Sequence, residues 1–129
     1  MGINKISNLP LFDCHFHIIE NGYPIQSNNG YIPPKFTIDD YLERVHGYSI
    51  KGGAVVSGSF QGFDQTYLTA ALKKLGPGFV GVTQLPATVS DEEILALDRH
   101  GVKAVRFNLN RGGSAGAKDL VSMANRIYD

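Results

Sequence analysis

Cysteine occurs once in the 129 residues, at Cys14, so no internal disulfide can form and the cysteine framework of a small secreted domain is excluded. A reducing, cytoplasmic setting is the expectation. Charge of either sign is not in excess, with 12 Lys plus Arg against 12 Asp plus Glu. A chain without net charge has no broad field to hold nucleic acid or an anionic membrane surface, so any charge recognition must be local. Long apolar runs are missing too, since no stretch approaches the ~20 residues that a membrane span requires. Met1 to Pro10 lacks a basic start followed by a long apolar core, the pattern of an export leader. The expectation is a soluble, unprocessed protein.

What is present is a globular composition rich in tight loops: 43% apolar and 19% charged residues, with 15 glycines and 6 prolines. The length suits a single domain, 1–129. Segment 9–19 (LPLFDCHFHII) is mostly apolar and is followed by a turn-rich stretch, as a buried parallel strand would be. Thr37, with Asp39 and Asp40 behind it, signals the start of a helix that ends near Gly47. The alternation then repeats: a strand over 53–57 and a helix over 64–75, a strand over 79–84 and a helix over 91–100. Ser90 and Glu93 form the capping box of that third helix. A fourth strand over 102–109, an exit loop over 110–116 and a helix over 117–128 complete the pattern.

Four successive strand-then-helix units predict an α/β fold with a parallel sheet, because parallel neighbours need crossovers and helical crossovers are almost always right-handed. An eight-unit barrel typically takes about 250 residues, so the expectation is the N-terminal half of a TIM-type barrel.

Side chains on a strand alternate faces, which puts Asp13, His15 and His17 on one side and Cys14, Phe16 and Ile18 on the other. A lone histidine in an apolar strand is more often a hydrogen-bonded core residue than a ligand. Two histidines and a carboxylate on one face are different, because burying all three without partners would cost several kcal/mol. His15 and His17 are therefore the candidate metal ligands, and zinc or manganese the candidate metal. Cys14 reads as a small buried hydrophobe.

Arg106 and Asn108 lie two apart on the fourth strand and are expected to share its inner face. A buried guanidinium can hold a carboxylate through two parallel hydrogen bonds, which makes Arg106 the leading substrate-binding candidate, with Asn108 adding an amide contact. The alternative is an arginine paired with an acidic residue inside the sheet. Ser59, after the second strand, would sit on the same rim and could bond a substrate oxygen. The glycine-rich run Arg111 to Gly116 lacks the Lys-Ser or Lys-Thr ending of a phosphate-binding loop and reads as a flexible turn. His46 and His100 fall near helix ends, where they complement terminal carbonyls, and receive no catalytic role.

The run Asp13-Cys14-His15-Phe16-His17-Ile18 resembles the Asp-x-His-x-His signature that opens the barrel of the amidohydrolase superfamily. The stretches 55–64 (VVSGSFQGFD) and 101–109 (GVKAVRFNL) are similar to strand ends of the amidohydrolase-2 branch that contains 2-pyrone-4,6-dicarboxylate lactonase. The resemblance implies a barrel in which His15 and His17 approach a divalent metal, with further histidines and a catalytic aspartate on later strands. It implies hydrolysis of a lactone or related ester or amide of a small carboxylated substrate by activated water. Metal dependence is not uniform among such hydrolases. Two other readings stand beside it: an inactive, truncated half-barrel, and a small doubly wound anion-binding module with structural histidines. An open half-barrel exposes sheet edges, so a second copy or a missing C-terminal half is the expected partner.

Overall fold

The computed structural model describes residues 8–128. The leader reading of the first ten residues falls, for 1–7, outside the described residues. Four strands, β1 (Pro10–Phe16), β2 (Ser49–Val56), β3 (Phe79–Thr83) and β4 (Val102–Val105), alternate with helices α1 (Ile38–Arg44), α2 (Thr66–Leu75), α3 (Asp91–Arg99) and α4 (Leu120–Ile127). All three pairings are parallel and the order is β1-β2-β3-β4. Strands laid down in chain order, each beside its predecessor, are the arrangement of a barrel wall. A doubly wound sheet reverses its order at a switch point, and this one does not.

Local chemistry accounts for where the helices begin. The Thr37 side chain accepts from Asp40 N–H while the Asp40 carboxylate accepts from Thr37 N–H, and Ser90 and Glu93 form the same reciprocal pair ahead of α3. In α2 the residues Tyr67, Leu68, Ala71 and Leu72 recur at helical spacing and are all buried. They meet Phe16, Val55 and Val102 from the sheet and Ile38 and Tyr41 from α1, forming the main core. Phe16 and Tyr41 stack with ring centres 3.9 Å apart. A smaller cluster, Leu85, Val89 and Met123, holds α4 against the loop after β3. Arg126 straps that loop down, donating to Asp91 at 2.6 Å and to the Val89 carbonyl at 2.6 Å.

Several expectations need correction, among them the second strand, which begins at Ser49 rather than 53. The fourth strand ends at Val105 rather than 109, because β3 offers partners only as far as Thr83 and the last ladder bond is Arg106 N–H to the Thr83 carbonyl. Arg106 and Asn108 therefore leave the sheet on an exit segment instead of sharing a strand face. The first strand ends at Phe16, so His17 stands just beyond it. Cys14 is exposed, not buried, because β1 is an edge strand; Phe12 beside it is 56% exposed. The last helix opens as a tighter 3-10 turn, Ala117–Asp119, before α4 proper. No helix among the described residues is long and apolar enough to cross a membrane.

Candidate functional site

The carboxyl ends of the strands carry the polar side chains. Between Asp13 and Phe16 the β1–β2 register slips, so strict alternation does not run through the signature. Asp13 itself keeps Gly53 as its partner, and the slip falls on the two residues that follow it. Its carboxylate accepts from the buried Tyr41 hydroxyl of α1 at 3.2 Å and, through its other oxygen, from the His15 backbone N–H at 3.4 Å, which ties it to the helix side. His15 and His17 remain together, their rings edge to face with centres 5.2 Å apart.

The partner of His17 decides its tautomer. Nδ1 lies 2.6 Å from the Val56 carbonyl, an acceptor only, so Nδ1 carries the hydrogen and a neutral ring presents Nε2 as its free lone pair. Burial lowers the pKa of His17 below the ordinary imidazole value, the Val56 bond opposes that shift, and the neighbouring His15 and Arg106 charges reinforce it. A neutral imidazole with an outward lone pair is the form that binds a metal. Two imidazoles make an incomplete set, however: among the described residues no group of three or more His, Cys, Asp or Glu side chains comes together. The donor chemistry fits part of a metal site.

Arg106 stands on the same rim. Its guanidinium donates to the Ser57 carbonyl at 2.7 Å and has no acidic partner among the described residues, so an ion pair inside the sheet is not what holds it there. One fork is occupied and half-buried, and the remaining N–H groups are available for an anion. Asn108 does a different job: its side-chain oxygen accepts from Arg111 N–H at 3.1 Å and its own N–H donates to Ser114 Oγ, which closes the exit loop. Ser59 is buried on a 3-10 turn, Ser59–Gln61, where its hydroxyl accepts from Asn28 Nδ2 at 2.7 Å. The glycine loop is not merely a flexible turn, since a Cβ at Gly113 would lie 2.7 Å from the Ser59 carbonyl oxygen. His100 caps the carboxyl end of α3 and His46 follows that of α1.

Sequence reasoning missed the polar layer beneath the rim. Ser57 Oγ bonds the Tyr67 hydroxyl and approaches Thr83 Oγ1 at 3.3 Å, while Gln61 and Gln84 bond backbone carbonyls of neighbouring segments. The available signal was a polar residue at the end of each apolar strand. A separate cleft of about 340 Å³ lies between α3, β4 and α4, lined by Leu95, Val102, Ala104 and Ile127 among others, and includes none of the rim residues.

A family model described as amidohydrolase matches residues 12–129. No curated protein matches. Three solved structures are similar. An apo protein of Agrobacterium tumefaciens has TM-score 0.80 at 20% identity, over 91% of this chain and 43% of its own. A candidate 2-pyrone-4,6-dicarboxylic acid hydrolase from Acinetobacter baumannii, with citric acid bound, has TM-score 0.69 at 21% identity, over 76% of this chain and 37% of its own. A candidate hydrolase of the same name from Pseudomonas putida has TM-score 0.62 at 31% identity, over 76% of this chain and 36% of its own. The chain thus spans less than half the length of each, and its fold is that of part of a TIM-type barrel.

Proposed function

The chain belongs to the amidohydrolase family, and on that premise we propose that it is the N-terminal half of a hydrolase that cleaves a lactone, or a related ester or amide, of a small carboxylated substrate. The observation that carries this is the convergence on one rim of the His15–His17 pair, with His17 Nε2 free, and of Arg106, a guanidinium without an acidic partner among the described residues.

Each group has a distinct part. Arg106 orients the substrate by pairing with its carboxylate, and the Ser57 carbonyl holds the guanidinium so that little rotamer freedom is lost on binding. Ser59 and Asn108 shape the rim around the substrate by holding the turn and the exit loop, through Asn28 and through Arg111 and Ser114. His15 and His17 are two ligands of a divalent cation, zinc or manganese, which when bound would polarise the carbonyl and acidify water. The Val56 carbonyl keeps His17 in the tautomer required. The remaining ligands and the general base come from strands outside this chain, supplied by a longer native chain or by a second copy; the setting is cytoplasmic.

Two measurements test this. Metal analysis after dialysis should find zinc or manganese bound by a chain completed with the second half, lost when His15 and His17 are both changed to alanine. Dicarboxylate lactones should be hydrolysed by the completed protein. A completed protein that neither retains metal nor hydrolyses any such lactone overturns the reading.

A further inference from the structure

The 3-10 turn Ser59–Gln61 is touched from every side of the rim. From the loop after β1, Asn28 donates to the Ser59 hydroxyl and Gln26 N–H donates to the Phe60 carbonyl at 2.8 Å. Beyond β1 itself, the Phe60 ring meets His17 with centres 5.9 Å apart, and Gln61 Nε2 donates to the Ile18 carbonyl at 2.8 Å. The loop after β4 rests on it through Gly113. Whatever holds this turn therefore sets the relative positions of Ser59 and His17.

Gln84, one residue past β3, is fully buried, and its side-chain amide donates to the carbonyls of both glycines that flank the turn, Gly58 at 3.3 Å and Gly62 at 3.1 Å. Its amide orientation is dictated by chemistry, because the reverse orientation would point Oε1 at two carbonyl oxygens. The consequence is an acceptor without a donor: Gln84 Oε1 is the buried side-chain atom left unpaired among the described residues. A buried unpaired acceptor is a standing cost, so a glutamine rather than an aliphatic side chain is explained only by what its two N–H groups do. They clamp the two ends of one turn. Gln61 complements them from inside the turn, accepting from Gly58 N–H at 2.9 Å.

We propose that Gln84 is a positioning residue of the rim, whose side-chain amide bridges Gly58 and Gly62 and thereby fixes the turn that places Ser59 and Phe60 against His17. The prediction concerns a local opening rather than global stability, since α1, α2 and the sheet core do not depend on this clamp.

Hydrogen exchange followed by NMR on the chain as it exists tests it. In Gln84→Met, which keeps length and removes both donors, exchange should accelerate by about tenfold or more at the amides of Gln61, Gly62 and Gln26. It should stay unchanged at Gly76, which bonds the Leu72 carbonyl in α2, and at Gly81, which bonds Gly101. Gln84→Glu, which sets a carboxylate against two carbonyls, should open the turn further. Unchanged exchange at the three turn amides, or an equal rise at the control amides, overturns the proposal. Citrate affinity, measured on the completed protein, should fall about tenfold in Gln84→Met; only this arm rests on the hydrolase reading. Wild-type protein that does not bind citrate counts against that reading, while the exchange data still decide the role of Gln84.

Discussion

Arg106 extends past the end of β3 to donate a hydrogen bond to the Ser57 carbonyl at 2.7 Å, tying the exit of β4 to the exit of β2. A lysine keeps the charge but has no fork, so it can reach the carbonyl or an anion in register, not both. If Arg106 holds the substrate carboxylate as proposed, Arg106→Lys should lower the affinity of the completed protein for a small dicarboxylate by about tenfold, with little change in thermal midpoint. Isothermal titration calorimetry checks it, and unchanged affinity removes Arg106 from the carboxylate-binding role.

Alkaline pH should unfold the chain earlier than its carboxylates or lysines would suggest. Burial raises the Tyr67 phenol well above its ordinary value of 10.0, Asp64 adds to the rise, and the Ser57 bond and Arg106 oppose it. The folded state then holds this proton more tightly than the unfolded state. The stabilising contribution is complete below about pH 10 and is lost as pH rises beyond it. Urea midpoints taken on both sides of that value should fall with pH in the wild type and fall less steeply in Tyr67→Phe. Equal slopes would contradict the assignment.

Gly113 and Gly112 make a matched pair. Both have positive φ, 72° and 74°, but a Cβ at Gly112 meets nothing within 4 Å whereas one at Gly113 approaches the Ser59 oxygen to 2.7 Å. Gly112→Ala should cost about 1 kcal/mol of backbone strain, and Gly113→Ala roughly 1–3 kcal/mol more because the loop must also lift from the turn. Chemical denaturation of the two variants gives the difference directly. Equal losses would mean that the exit loop does not bear on Ser59.

Removing the cap of α3 should be felt without touching the rim. Ser90→Ala deletes the acceptor for Glu93 N–H and is expected to cost about 1 kcal/mol, with Ser90→Asp restoring most of it. Thermal unfolding of both variants is the check, and a silent Ser90→Ala would show that the box is not contributing.

The helices and strands were legible because each rests on local rules. The helix start at Thr37, the capping box at Ser90 and the apolar stripe of α2 fall where the residue pattern predicts them. Errors concentrate at strand ends. Strand length depends on the partner: β4 stops where β3 stops offering bonds, and Cys14 is exposed because β1 has a neighbour on one side only. The pairing of His15 with His17 was visible in the spacing, whereas the bond from Tyr41 to Asp13 depends on where α1 packs against the strand, which no alternation rule contains.

By itself the sequence determined the α/β alternation, the family signature and the presence of two imidazoles on one side of the first strand's end, since these follow from periodicity and residue type along the chain. Only the tertiary structure decided which polar groups are already engaged. Asp13 is taken by Tyr41, Asn108 by its own loop, and His17 Nδ1 by Val56, each through a partner on another segment or another turn of chain. A hydrogen bond is made by proximity in space and in a particular direction, and for partners as far apart as Gln84 and Gly58 that proximity exists only once the strands are laid side by side.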